Sequence, residues 1–428
     1  METFFPEILI TYLCCFRQAF LTSNFSYFQG FIGACLLSGS RKCITRISSS
    51  CFFLDKSLSS WERFLSQSHW DLYEVAKSLI RLCLSELGEQ LLYANRYIVA
   101  VDTTFVTKVL GRMIGVQKWS KKSATEKVSV IGHQWGIASL LCFIDDKWRS
   151  FPILSRLISG QTRPSHFAVD SQGKATPMGF FGPIIAMIAM IAPEISMAPL
   201  CVVADAYFAK APFINAMLDM GVGVVTRLRW DAVGWDDPIY CGRGRPPKRG
   251  RKWKLASLLD HLENTSISVK LYGKMVNVTA VVKQIWLRDV ERKVKLVVIK
   301  AKKRPILLVT THLSLTPKQI IEIYGARFSL EIAIRELKQY IGFGQYQATT
   351  TIAFLRFTQL CCCALSIAKL ILRKKESFAA DAQWSIRSLR ESLLRFVIER
   401  LLLSNSPIDA ELKKRYQEFT DTILRIAA

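Results

Sequence analysis

Residues 61–92, WERFLSQSHWDLYEVAKSLIRLCLSELGEQLL, alternate apolar and polar groups at helical spacing, and residues 1–92 together predict a small helical region. The period then changes. Residues 97–101, YIVAV, form a short apolar run ending at Asp102, and 131–144, IGHQWGIASLLCFI, contain another candidate strand. An apolar helix is expected near 178–192, followed by a buried strand, LCVVA at 200–204, ending at Asp205. A short helix at about 209–219 and a strand GVVTRL at 223–228 complete an α/β pattern.

Between about 231 and 312 the pattern turns β-rich, with strand-like runs at 266–272, 276–287, 294–300 and 306–310. Ahead of them, CGRGRPPKRGRKWKL (241–255) packs Arg243, Arg245, Lys248, Arg249, Arg251, Lys252 and Lys254 among glycines and prolines, predicting an extended or looped basic surface. This segment interrupts the α/β domain instead of ending it. A helix then starts with threonine at N-cap (Thr316), proline at N1 (Pro317) and glutamine at N3 (Gln319), runs to about Tyr340 and stops at Gly342. At about 100° per residue, Tyr324, Arg327, Glu331, Arg335 and Lys338 fall within roughly an 80° arc. One face therefore carries an acid among cations and a phenol. Helical runs at 352–373, 384–402 and 407–426 follow, suited to dimerisation or to covering the core. The expected layout is a helical region at 1–92, the first part of an α/β core at 93–230, a β-rich insertion at 231–315, a core helix at 316–350 and a helical region at 351–428.

Composition narrows the partners. A chain of 428 residues with 50% hydrophobic content buries one large core or two smaller ones. Its formal charge of +24 predicts attraction to a polyanion, with DNA or RNA first and an anionic membrane surface second. The twelve cysteines contain no CxxC pair, and the runs Cys14-Cys15 and Cys361-Cys362-Cys363 lie in apolar segments, which points to free thiols in a reducing compartment and not to structural zinc. The uncharged segment 178–193 is interrupted by Gly182 and Pro183 and falls short of a span of about 20 residues, so it reads as a buried helix. Glu2 and Glu7 stand where a signal peptide carries positive charge. A cytoplasmic protein with no membrane partner is the expectation.

Asp102 and Asp205 each follow an apolar run, and open sheets present functional groups at the carboxyl ends of strands. If those strands are neighbours and the helix packs across them, Asp102, Asp205 and Glu331 converge. Three clustered carboxylates repel one another unless hard cations neutralise them, and Mg²⁺ or Mn²⁺ takes such oxygen ligands. Two ions roughly 4 Å apart would activate water or a 3′-hydroxyl for phosphodiester chemistry. Taken singly, each aspartate also fits a turn or cap, and Glu331 an exposed ion-paired face. Asp145-Asp146 and Asp236-Asp237 read as turn residues, and Trp253 and Trp286 as packing residues.

The spacing Tyr324, Arg327, Glu331, Lys338 matches Y-(2)-R-(3)-E-(6)-K, and with VAVDTTFVTK around Asp102 and VVADAYFAK around Asp205 the chain resembles the DDE transposases of bacterial insertion sequences, in the IS4-type superfamily on the branch related to IS701-like elements. The resemblance extends through TRLRWDA (226–232), the basic run and TTHLSLTPKQIIEIYGARF (310–328), covering about residues 60–350. It implies an RNase H-like catalytic core interrupted by a β-rich insertion, with flanking helical regions. It implies an enzyme that nicks double-stranded DNA at terminal inverted repeats and joins the 3′-hydroxyl ends to target DNA, self-associating on DNA. Asp102, Asp205 and Glu331 would hold two Mg²⁺ or Mn²⁺ ions, Arg327 and Lys338 would contact backbone phosphates, and Tyr324 would position the cleaved end. His312 stands where relatives often carry an acid, and residues 20–50 show no helix-turn-helix pattern. A nuclease that cuts without joining, and an inactive DNA-binding repressor, are the alternatives.

Overall fold

The computed structural model describes residues 5–39, 41–51, 54, 56–108, 113–122, 127–158, 167–169, 175–177, 181–240, 242, 245 and 247–403. Its helices are α1 Glu7–Cys14, α2 Thr22–Leu37, α3 Ile44–Ser50, α4 Leu58–Ser66, α5 Leu72–Leu87, α6 Gly182–Ile191, α7 Ala211–Asp219, α8 Leu258–His261, α9 Pro317–Ala326, α10 Phe328–Glu336, α11 Thr351–Lys374 and α12 Ile386–Leu403. Its strands are β1 Leu92–Tyr93, β2 Arg96–Thr107, β3 Gln117–Lys122, β4 Lys127–Ile144, β5 Lys147–Ile158, β6 Phe167–Val169, β7 Ala175–Pro177, β8 Leu200–Val203, β9 Gly223–Leu228, β10 Val233–Trp235, β11 Lys252–Lys254, β12 Thr265–Leu271, β13 Lys274–Ile285, β14 Val294–Ile299 and β15 Ile306–Thr310. The chain divides into two units, 1–86 with 335–428, and 87–334.

The first unit is helical and is built on α11. That helix is long and apolar enough to cross a membrane, yet 94% of its most apolar stretch is buried inside the protein, against α2, α4 and α12. Two of its buried residues are cations, and each is compensated. Arg356 donates to the carbonyls of Leu65 (3.2 Å) and Trp70 and lies 4.3 Å over the Trp70 ring, and Lys369 pairs with Glu336 at 2.6 Å. Among the described cysteines only Cys14 and Cys15 are exposed, and all are free thiols. The expected run at 407–426 lies outside the described residues.

The second unit carries a mixed α/β fold around one large, mostly antiparallel sheet in the order β12-β13-β14-β15-β9-β8-β2-β4-β3, with β5 on β4 and β1 on β2. The path β5-β4-β2-β8-β9, antiparallel through β2 and parallel from β2 to β9, is consistent with an RNase H-like core. Strands of the β-rich segment do not form a separate layer. They prolong the same sheet, because β15 pairs antiparallel with β9 and β14, β13 and β12 follow in turn. One face packs Leu296, Val298, Leu307 and Val309 against Ile214 of α7 and Leu258 of α8. Helix α9 lies against β9, β12 and β15. The sheet curls far enough for Lys270 on β12 to reach Asp146 in the β4–β5 turn at 2.7 Å.

Helix α9 begins with the expected box: Thr316 accepts from the Gln319 N–H and the Gln319 side chain accepts from the Thr316 N–H. It continues through Arg327 into α10 and a π turn at Leu337–Ile341, and stops at Gly342 with φ +84°. Buried Glu322 fixes α9 sideways. Its carboxylate accepts from the Lys270 N–H at 2.7 Å and from the Tyr93 hydroxyl, so one acid ties β12 and β1 to the helix. Glu322→Ala strands both donors and is expected to cost about 3 kcal/mol of unfolding free energy. Glu322→Gln keeps an acceptor and is expected to cost about half as much, read from urea midpoints.

Candidate active site

The parallel pairing of β2 with β8 sets Ala100 opposite Val203, and the same offset carried two residues on sets Asp102 abreast of Asp205. Asp102 does not end its strand. β2 runs five residues further, to Thr107, because β4 offers a continuous antiparallel partner, with Thr107 opposite Gly132, after the apolar run has ended. Asp205 lies two residues beyond β8 and caps a short 3₁₀ turn, its carboxylate accepting the Tyr207 N–H at 3.0 Å, while Thr226 on β9 donates to its carbonyl at 2.8 Å.

Arg327 joins the third acid to the first. Its guanidinium donates to Asp102 at 3.0 Å and to Glu331 at 2.6 Å. The Arg327 and Asp102 side chains are 16% and 17% exposed, whereas Glu331 is 39% exposed, so the inner half of the bridge is the drier one. Burial pushes the Asp102 carboxyl up to about 6. The Thr103 N–H and Arg327 pull it back, and the charges of Asp205 and Glu331 push it further. Burial depresses the Arg327 guanidinium, but Asp102 and Glu331 outweigh it and leave the group above its ordinary value. Tyr324, with its ring 5.8 Å from the Arg327 guanidinium, has its hydroxyl raised by burial, lowered by Arg327 and Arg227, and raised by Asp205. Arg227, on β9, was not singled out from the sequence, since within GVVTRL it reads as one more strand residue.

The other candidates belong to the basic run or to the first unit. The division after Ile334 assigns Arg335, exposed, and Lys338, half-buried, to the first unit. Arg243 lies outside the described residues. Arg245 and Lys248 are exposed, and Lys252 and Lys254 flank the buried Trp253 on β11. Arg249 stacks at 4.4 Å on Trp235 and Arg251 at 3.9 Å on Trp253, so part of the basic run is spent on tryptophan faces. The Trp253 and Trp286 N–H groups donate to Asp236 (2.7 Å) and Asp237 (2.9 Å), which fixes both rings and gives that acid pair a structural task. Asp145 and Asp146 form the positive-φ turn between β4 and β5. His312 packs against Gly223, where a Cβ would come within 1.8 Å of its ring, and burial depresses its basicity.

Among the described residues no three His, Cys, Asp or Glu side chains are grouped as metal ligands. The donor set nevertheless suits a hard divalent cation. All its atoms are carboxylate oxygens, and a cationic group, the Arg327 guanidinium, already lies between two of the three acids.

The sheet is consistent with an RNase H-like core, its neighbouring strands bring Asp102 abreast of Asp205, and Arg327 links Asp102 to Glu331 on α10. The profile described as "Transposase DDE domain" matches residues 147–367, and the chain belongs to that family. The matched stretch includes Asp205 and Glu331 and begins after Asp102. Among solved structures the chain is similar to a piggyBac transposase, determined by cryo-electron microscopy as a synaptic complex with hairpin DNA. The identity is 11% and the TM-score 0.41, over 98% of this chain and 84% of that one. No curated protein sequence matches.

Proposed function

We propose that this protein is an insertion-sequence transposase of the IS4-type superfamily, close to IS701-like elements, that cleaves double-stranded DNA at terminal inverted repeats and joins the 3′-hydroxyl ends to target DNA. The reading is supported above all by the Arg327 bridge between Asp102 and Glu331, with the charge of Asp205 felt at Asp102, in a chain that belongs to the transposase DDE domain family. The three carboxylates would hold two Mg²⁺ or Mn²⁺ ions. Such ions supply an activated water or 3′-hydroxyl and stabilise the leaving oxygen. Arg327, released from the acids, binds a backbone phosphate through its planar fork, and Tyr324 positions the DNA end. Residues 1–92 take the terminal repeat, the cations of 245–254 contact the flanking duplex, and the protein acts in the cytoplasm as a self-associated complex on DNA.

The test is a purified-protein assay on a duplex carrying the element's terminal repeat, with Mg²⁺, Mn²⁺ or EDTA. Cutting at the repeat boundary and joining to a plasmid target, both lost in EDTA, are expected. Cutting without joining replaces the reading with that of a nuclease, and tight binding without cutting replaces it with that of a repressor.

A further inference from the structure

The row of charged residues at the carboxyl ends of the parallel strands has a third member. β8 pairs with β9 so that Val203 faces Val225, and two residues on, the position abreast of Asp205 is Arg227. Asp102 on β2, Asp205 just beyond β8 and Arg227 on β9 thus occupy matching positions in the row, with neighbouring strands about 4.8 Å apart. Arg227 is half-buried, and its charge is felt at the Tyr324 hydroxyl, on the same side of the sheet as α9.

The two arginines of the cluster differ in what they already hold. Arg327 is engaged by two carboxylates. The Arg227 side chain has no hydrogen bond and no carboxylate partner among the described residues, although Asp205 is its neighbour in the row. Two positions along, Arg229 does have one, a paired contact to Asp231 with both distances 3.1 Å. A half-buried guanidinium without an anion is a costly arrangement that a ligand phosphate relieves, and the guanidinium fork matches phosphate oxygens two at a time.

We propose that Arg227 is a substrate-binding residue of this site, holding the DNA backbone phosphate next to the one that reacts over Asp102 and Asp205. The assignment rests on the DNA-cleaving function proposed above. It divides the cations by role: Arg227 receives the strand in the free protein, whereas Arg327 is available only after the acids release it.

The discriminating quantity is the salt dependence of binding. A fluorescein-labelled 30-base-pair duplex is titrated with wild type, Arg227→Ala and Arg229→Ala in EDTA, by anisotropy at several salt concentrations. Each phosphate contact contributes about 0.9 to the slope of log affinity against log salt. Arg227→Ala is expected to reduce that slope by about 1 and to weaken binding alike on unrelated duplex sequences, and Arg229→Ala to leave it unchanged. Arg227→Gln, uncharged and of similar length, gives the same loss and serves if the alanine variant does not fold. An Arg227 variant with the wild-type slope, or an equal loss in Arg229→Ala, overturns the assignment while the DNA-cleaving reading stands. Failure of the wild-type protein to bind any duplex overturns both.

Discussion

Glu331→Gln and Asp205→Asn are each expected to lower the proposed cleavage at the repeat boundary by about 10³-fold or more while leaving duplex affinity within about twofold. A loss of that size, about 4 kcal/mol in the barrier, is what removing one preorganised charged group from such a site costs. The affinity is spared because neither acid attracts DNA. Both changes keep the side-chain shape and remove charge from a region that already crowds Asp102 with Asp205 and Glu331, so the folded protein is not expected to suffer. Asp145→Asn is the matched control. It removes a carboxylate from a turn with φ +48°, where asparagine is equally at home, and full activity is expected. Wild-type cutting rates in Glu331→Gln, measured with Mg²⁺ on denaturing gels, would remove Glu331 from the mechanism.

Arg327→Ala is expected to have the second large effect, on stability, and its size to depend on divalent cations. Without Arg327, the mostly buried carboxylate of Asp102 and the half-exposed one of Glu331 face each other and Asp205 with no counter-ion. Breaking one side of a buried pair costs about 3–5 kcal/mol. The exposure of Glu331 argues for the lower end, a melting temperature roughly 6–12 °C below wild type in EDTA. On the proposed function Mn²⁺ is expected to take the vacated role. At 100 times its dissociation constant it returns about 2.7 kcal/mol. In the wild type Mn²⁺ first has to displace the guanidinium, so its stabilising effect is smaller. Thermal melts of both proteins with and without Mn²⁺ decide the matter: an equal Mn²⁺ shift in the two would mean that guanidinium and metal do not compete.

Much of this architecture is written locally in the chain. The strands expected at 223–228 and 306–310 coincide with β9 and β15, and the helix start at Thr316 is a complete capping box, because each depends on side chains within a few residues. The apolar helix expected in 178–193 is too short to span a membrane, α6 being only ten residues. What the sequence conceals is long-range. β5, KWRSFPILSRLI, is buried almost throughout and so shows no alternation to announce a strand. β2 outruns its apolar segment because the partner that prolongs it lies some 30 residues away. The continuity of the β-rich segment with the main sheet depends on the β9–β15 register, which no local pattern encodes. At the site, the Arg327–Glu331 pair is legible as one helical turn, whereas the Arg327–Asp102 pair spans 225 residues and is not. Arg227 remains hidden for the same reason, since its neighbour in the row belongs to another strand.

The order in which the charged residues occur has a consequence for the chain as it is made. Asp102 lies on β2 and Asp205 just beyond β8, but Arg327 and Glu331 follow four further strands, β12–β15, the last of which must pair with β9 before α9 has a surface to rest on. On a ribosome adding about 5–20 residues per second, the roughly 125 residues from Asp205 to Glu331 take about 6–25 s. Throughout that interval the nascent protein holds two acids and neither the third nor their counter-ion. If the three acids act as proposed, catalytic competence is among the last properties the growing polypeptide acquires, and a product truncated before α9 is expected to hold an aspartate pair that does not cut.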